Sequence, residues 1–434
     1  MQNARKTALD ILCAIEKDGA FINIELKKVL NTNDLPDVDK RFVTELVHGV
    51  VKYKIRLDYI IGKFSSVKLK KISPYILNVL RLGIYQLCFL DKIPQSAAIN
   101  ECVKLAKRYN VKSAGFVNAI LRNVTRSEIS YPSEKSEYLS VYYSFEKWMA
   151  DKFINDYGIS FAEKLMESLN ERRNLTIHCN TLKTDAKSLI EELSGEGITC
   201  KKHGFNENII EVSSLGNVLS LKSFKDGNFY VQDAASSLCA YALSPKEGDF
   251  VIDVCAAPGG KTSVLAQIMK NKGKILAFDI YEHKLSLMQE NFKRLGITIA
   301  KTLLHNSEET LEEYRDKADC VLVDAPCSGL GIISRKPDIK YSLKNDDIKT
   351  IAEKSYKILC ASSEYVKKGG TLVYSLCTFT PEEGEENIKK FLNFNKEFEL
   401  DKITCYNKQN DGMITVFPNE CNADGFFICR MKRK

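Results

Sequence analysis

Apolar residues return every three or four positions throughout residues 1–130. ARKTALDILCAIEKDG, FVTELVHGVVKYKIRLDYIIGKF, YILNVLRLGIYQLCFL and AAINECVKLAKRYN all keep this spacing, which lays one buried stripe along an α-helix. Ser73–Pro74 and the IPQS run at 93–96 read as helix starts, with Ser73 as the cap and Pro74 in the first turn. An all-α bundle is expected. Residues 131–148, YPSEKSEYLSVYYSFEKW, mix proline, serine and aromatic residues without a sustained period; they read as a linker packed on the next domain. Over 149–230 a helical stretch precedes the strand LTIHCNT. A helix, DAKSLIEELSGEG, and short strands up to GNFYVQD complete a small α+β subdomain.

The last region, 231–434, changes pattern from about residue 245. DFVIDVC, KILAFDI, ITIAKTLLH, CVLVDAP and TLVYSLC are short apolar runs separated by helical stretches such as GGKTSVLAQIM and HKLSLMQENFKRLG. Buried strands alternating with helices predict an α/β, Rossmann-like domain with a mostly parallel sheet.

Composition adds limits. The chain has 434 residues, 44% hydrophobic and 27% charged, ordinary for a globular protein of several domains. No run approaches the ~18 apolar residues of a membrane span, and the charged N-terminus makes a poor signal peptide. A cytoplasmic monomer is expected. The fourteen cysteines show no C-x-x-C and no zinc-finger spacing, so reduced thiols and no metal are expected.

The net charge of +7 is uneven. Residues 1–130 hold 22 Lys+Arg against 12 Asp+Glu, and the remainder 41 against 44. Lys104, Lys107, Arg108, Lys112, Arg122 and Arg126 cluster in the last helices of the bundle. This asymmetry fits a polyanionic partner, most simply nucleic acid, or else a solvated surface.

In a parallel sheet, ligands bind at the carboxyl ends of the strands. The first strand runs into DVCAAPGGKTS, where Gly259 and Gly260 permit close backbone approach and a helix begins near Lys261. A phosphate loop would need glycine at position 255, which is Cys255. The second strand ends at Asp279, where an acid takes ribose hydroxyls in nucleotide-binding sheets. The third ends near Asn306, within reach of a base. A ribose acid without a phosphate device suits S-adenosylmethionine. As alternatives, Asp279 and Asn306 would be local caps. Two further strands end in thiols, Cys327 in LVDAPCSGLG and Cys377 in YSLCT, and either could be a small buried hydrophobe.

DVCAAPGGKTS, LVDAPCSGLG, YSLCT, FYVQDAAS and the terminal DGFFICR together resemble the Sun family of RNA 5-methylcytosine methyltransferases, over roughly 150–434. Residues 1–130 resemble the NusB-type RNA-binding domain. The combination implies a bacterial enzyme that methylates carbon 5 of a cytosine in 16S ribosomal RNA. By this resemblance Cys377 is the nucleophile that adds to carbon 6, Cys327 assists product release, and Asp324 holds the ring edge and the cofactor side. Cys255, Ala256, Ala257, Pro258, Gly259, Gly260 and Lys261 form the cofactor loop, joined by Asp279, Asn306 and Asp324. Leu376 stands where the family usually has threonine before its nucleophile. Arg335 and Lys336 are candidates for RNA phosphate, Asp253 for orienting the loop amides, and Lys261 for lying near Asp324. The same chemistry on transfer RNA, or a non-catalytic NusB-like RNA-binding factor, are the competing functions; retention of both cysteines, Asp279 and Asp324 argues against the latter. DAPC in place of an Asn/Asp-Pro-Pro-aromatic motif argues against methylation of exocyclic amines.

Overall fold

The structure is a computed structural model that describes residues 4–19, 22–32, 35–213 and 218–434. The chain packs as two compact units. Unit 1 is Met1–Asn170 with Arg335–Ser342, and unit 2 is Glu171–Ser334 with Leu343–Lys434.

Unit 1 is helical, as the periodicity predicts. Helices Ala4–Asp18, Asp37–Lys52, Lys54–Phe64, Pro74–Phe89, Gln95–Tyr109 and Val111–Arg126 enclose Leu9, Leu46, Ile60, Leu80 and Leu121, all without solvent exposure. Each such side chain contributes about 1.5–3 kcal/mol on burial. Pro74–Phe89 is the central helix, buried around most of its circumference. Its Arg81 is accepted there because Asp58 meets it in two bonds, at 2.6 and 2.7 Å, and Asn78 and Glu16 take another N–H group. Pro74 occupies the first helical position, but Ser73 makes no capping bond with its side chain. The six basic residues of the last helices are all exposed.

Residues 131–148 differ from the expected linker. Lys135–Tyr143 is a helix, capped by Glu134, which accepts from the amides of Ser136 (2.8 Å) and Glu137 (2.6 Å). Its tyrosines hide the period. Tyr138 and Tyr142 stack on each other at 5.1 Å, and the Arg56 guanidinium lies 4.0 Å above the Tyr142 ring. Amphipathic rings bury their faces while reading as half-polar positions. Helices Lys147–Tyr157 and Ile159–Asn170 pack with this unit.

Unit 2 holds two sheets. In the smaller, β1 (Leu175–Cys179), β2 (Thr199–His203), β3 (Asn206–Ser213) and β4 (Phe229–Val231) run antiparallel in the order β2-β3-β1-β4. Helix Ala186–Gly195 packs on it, capped by Asp185. The larger sheet contains β5 (Phe250–Val254), β6 (Lys274–Asp279), β7 (Ala300–Leu304), β8 (Ala318–Asp324), β9 (Val366–Leu376), β10 (Phe398–Leu400), β11 (Met413–Val416) and β12 (Phe426–Arg433). Its order is β10-β12-β9-β8-β5-β6-β7, with β11 on β12. Strands β5 to β9 pair in parallel, and β12 runs antiparallel to β9. The order reverses at β5, so the crevice beyond its carboxyl end is the expected ligand site. No helix among the described residues is long and apolar enough to cross a membrane.

One buried amine in unit 1 has only neutral partners, and burial pushes it well below the usual lysine range. Lys340, with no exposed surface, donates to Asn170 Oδ1 (2.6 Å) and to the carbonyls of Lys52 (3.2 Å) and Tyr143 (3.3 Å), and lies 3.8 Å from the Phe145 ring centroid. Lys340→Met keeps the apolar stem and deprives these oxygens of their donor. Unit 1 should lose about 1–3 kcal/mol of stability, read as a lower midpoint in urea unfolding followed by far-ultraviolet circular dichroism.

Candidate active site

The loop after β5 is shaped by glycine. Gly259 adopts φ +94°, and a Cβ there would sit 3.0 Å from the Phe292 ring and 3.3 Å from Met288. Only glycine meets both conditions without strain. The Ala256 amide bonds the Phe278 carbonyl at 2.7 Å, tying the loop to β6. Helix Gly260–Ile268 follows directly, so its first N–H groups face the crevice. Cys255, also at positive φ, is held as a thiol, pushed up to about 12 by burial.

Asp253, at the end of β5, accepts from the Thr262 hydroxyl at 2.5 Å, and its Oδ1 is buried without a partner. It braces the first turn of the helix through a side chain, in place of the loop amides expected for it. Burial pushes its carboxyl up to about 7, against the lowering effect of the Thr262 bond.

Asp279 closes β6. Its Oδ1 accepts from the Tyr281 amide at 3.0 Å and lies 3.6 Å from the Lys284 ammonium. The carboxylate is 5% exposed, whereas Ile280 and Tyr281 beside it are each 53% exposed. A nearly buried acid next to an open apolar shelf suits a ribose carrying a flat base. Asn306 accepts from the Glu308 amide at 3.3 Å, which places it in a turn after β7.

The two thiols meet. Cys327 and Cys377 are both free, and their sulfurs stand 3.1 Å apart. Parallel pairing of β8 with β9 sets Asp324 opposite Ser375, and the Ser375 hydroxyl donates to Asp324 at 3.0 Å. Lys261 reaches the other carboxylate oxygen at 2.7 Å. The sequence raised that contact only as a possibility. Burial works against the Lys261 charge, but the Asp324 carboxylate outweighs it and holds the ammonium above its ordinary range. The ring of Phe426 lies 5.2 Å from the same ammonium. The Cys327 thiol is raised well above its usual range, first by its hydrogen bond to Cys377, then by burial and by the charges of Cys377 and Glu383.

Leu376, the departure from the family pattern, is wholly buried with Leu372 and Tyr374 in the core beneath one face of the sheet. Side chains alternate along a strand, and Val373 and Cys377 pack against the core on the opposite face. The Leu376 side chain therefore lies on the opposite face from Cys377, while Cys327 packs against the same core as Leu376.

The other recognised motifs buttress the thiols. The Gly331 amide donates to the Cys377 carbonyl at 3.1 Å, and the Gly425 amide to the Gly331 carbonyl at 2.9 Å. A Cβ on Gly425 would lie 2.8 Å from the Gly331 Cα and from the Phe379 ring, which explains the glycine in DGFFICR. Asp233 of VQDAAS caps helix Ala234–Leu243 and accepts from the Asp424 amide at 3.2 Å. Arg335 and Lys336 open the segment that packs in unit 1. Sequence reasoning missed Ser375, Ser328 and Glu383. The Glu383 carboxylate takes the Ser328 amide at 2.7 Å, yet in TPEEGEEN it looks like part of a solvated acidic run. Among the described residues no group of three or more His, Cys, Asp and Glu could hold a metal ion.

Comparison with known proteins agrees with this geometry. Residues 240–432 match the 16S rRNA methyltransferase RsmB/F family, residues 2–126 the NusB family, and residues 145–219 the ferredoxin-like domain of RsmF/B-like methyltransferases. The chain is 37% identical to the probable ribosomal RNA small subunit methyltransferase B of Bacillus subtilis (strain 168), over 100% of this chain and 99% of the relative. It is 30% identical to the ribosomal RNA small subunit methyltransferase B of Escherichia coli O1:K1 / APEC, with the same coverage. The crystal structure of PH0851 superposes with a TM-score of 0.84 at 26% identity, over 100% of this chain and 99% of that one. A methyltransferase homologue from Pyrococcus horikoshii, 29% identical, gives a TM-score of 0.63 over 70% of this chain and 100% of its own. The chain belongs to the ribosomal RNA small subunit methyltransferase B family. It is a methyltransferase, and S-adenosylmethionine is the methyl donor of this class.

The state of Asp253 sets a pH dependence. Its folded value lies above the unfolded one, so the folded chain binds the extra proton between about pH 4 and 7, and stability falls as pH rises through that window. Asp253→Asn imitates the protonated form. Without cofactor its advantage over the parent should grow by about 2–4 kcal/mol between pH 5 and pH 8, as measured by urea unfolding at both pH values.

Proposed function

We propose that this protein transfers a methyl group to carbon 5 of a cytosine in 16S ribosomal RNA, through a covalent bond between Cys377 and carbon 6 of the ring. The observation that carries this reading is the pair of reduced sulfurs 3.1 Å apart at the ends of adjacent parallel strands. Burial alone gives no reason to bring two thiols together beside a held carboxylate. A reaction that needs a nucleophile and a separate proton-bearing group does.

The residues of the loop after β5 fit S-adenosylmethionine. Gly259 keeps the approach open, Gln232 Oε1 and Asp253 Oδ1 are buried there without partners, and Asp279 stands beside an apolar shelf. Cys255 to Lys261, Asp279, Asn306 and Asp324 would hold the cofactor, which when bound supplies an electrophilic methyl group on its sulfonium.

Carbon 5 of cytosine is a weak nucleophile. Addition of the Cys377 thiolate to carbon 6 turns the ring into an enamine that is nucleophilic at carbon 5. The bond to Cys377, burial and the nearby Glu383 charge raise the Cys327 thiol, which suits that sulfur to remain a hydrogen-bond donor beside the nucleophile. Asp324, fixed between Lys261 and Ser375, holds the ring edge. Once carbon 5 carries the methyl group, its proton passes to water as base, the C–H electron pair re-forms the 5,6 double bond, and the carbon 6–sulfur bond breaks to release Cys377 as a thiolate. Cys327 donates its hydrogen bond to the departing sulfur.

RNA as substrate is supported by the named function of the relatives and by the exposed basic residues of the NusB-like helices, which suit phosphate contacts. The target base must leave its stack to reach the thiols.

Two experiments check these roles. Cys377→Ala should abolish methylation of 16S ribosomal RNA, read by bisulfite sequencing, and form no protein–RNA band on denaturing gels. Cys327→Ala should accumulate that band. The opposite pattern would exchange the two roles, and no band with either variant would reject the covalent route. Separately, Asp279→Ala should weaken cofactor binding by about 1.5–3 kcal/mol, the cost of losing a charged hydrogen-bond partner. Unchanged affinity in calorimetry would remove Asp279 from the ribose site.

A further inference from the structure

Behind the thiol pair lies a buried carboxylate that none of the motifs names. Glu383 has no exposed surface, and Ser328, Thr378 and Thr380 around it are 7%, 0% and 2% exposed. Its Oε1 accepts from the Ser328 amide at 2.7 Å. Its Oε2 accepts from the hydroxyls of Ser328 and Thr380, both at 2.6 Å. The Ser328 hydroxyl is also 2.9 Å from that of Thr378. Since the Ser328 proton points at Glu383, Thr378 donates and Ser328 accepts. Ser328 follows Cys327 and Thr378 follows Cys377, so this network is joined to each loop one residue beyond its sulfur.

We propose that Glu383 is a positioning residue for both thiols: it clasps the two cysteine loops to each other and thereby sets the spacing of the sulfurs and the order in which they act. This rests on the two-thiol reading of the reaction. A neutral side chain could satisfy the same hydroxyls, and burying a carboxylate among hydroxyls and one amide costs free energy that a purely structural clasp does not require. The negative charge has a separate effect. It opposes ionisation of Cys327, whose neighbour Ser328 bonds Glu383 directly through both its amide and its hydroxyl. The titratable groups that act on Cys327 or feel its charge are Cys377, Glu383 and Tyr374.

The test uses the full-length protein without RNA or cofactor. Iodoacetamide modification of Cys327 and Cys377 is followed by peptide mass spectrometry from pH 6 to 9.5, and kcat and KM for 16S ribosomal RNA are measured alongside. Glu383→Gln keeps the shape and removes the charge. Cys327 labelling at pH 8 should rise severalfold as the opposing charge is removed, while kcat falls and KM stays within about twofold. Glu383→Asp keeps the charge but shortens the reach; it should lower kcat and preserve the parental order of labelling. Should Glu383→Gln fail to fold, Ser328→Ala retains the charge and removes only the hydroxyl link, and it should lower kcat without changing the labelling order. Parental labelling and turnover in Glu383→Gln would overturn the proposal, as would parental turnover in Ser328→Ala. Because labelling needs neither substrate, it decides the role of Glu383 even if Cys377→Ala proves active and the methylation reading fails.

Discussion

Parallel pairing of β8 with β9 is the constraint on which the site depends. The register places Asp324 beside Ser375, and both strands then end at the same edge of the sheet. Cys327 lies three residues beyond Asp324, and Cys377 two beyond Ser375. An antiparallel partner would carry the second thiol to the far end of the strand. A shift of one residue would turn Cys377 toward the core face that Leu376 now fills, because side chains alternate along a strand. The sulfur contact at 3.1 Å thus follows from backbone hydrogen bonding far more than from any attraction between thiols.

Charge inside the site is arranged in separate, locally satisfied groups. Asp324 is held between Lys261 and Ser375, Asp253 against Thr262, and Glu383 among three hydroxyls and an amide. Only the first has a close cation. The other two are therefore pushed upward by burial, and such groups respond most to pH and to an arriving charge. Partners left open at Asp253 Oδ1 and Gln232 Oε1 lie on the cofactor side, where a polar ligand would complete them. Loops on the thiol side are instead closed by glycine contacts between Gly331 and Gly425. The two halves of the crevice thus differ: one is closed around the thiol pair by backbone contacts, and the other presents polar atoms toward the loop after β5.

The helical unit follows a different logic. Its core is aliphatic and its basic residues stay at the surface, so its affinity for a polyanion can vary without disturbing its packing. Its buried Arg81 and Lys340 sit deep in the unit, each with several fixed acceptors, and are structural in character; burial pushes Lys340 well below the usual lysine range. Charge that meets a partner and charge that organises the interior are thereby carried by different residues.

The sequence by itself determined most of the secondary structure and the methyltransferase class. Helical periodicity, apolar strand runs and the CAAPGGK, DAPC and YSLC motifs are local properties, read over windows of a few residues. They sufficed to place the cofactor loop after β5 and a thiol at the end of each of two later strands. The helix at Lys135–Tyr143 escaped that reading because tyrosines are half polar and half apolar, which erases the period. Tertiary structure alone decided that the thiols touch, that Lys261 binds Asp324, that Leu376 faces away from the nucleophile, and that Glu383 lies buried between the cysteine loops. Each joins residues on different elements, and strand register and loop closure are set by packing over the whole domain. An acidic run such as TPEEGEEN carries no local mark of which glutamate will be buried; only the donors brought to it by Ser328, Thr378 and Thr380 make that selection.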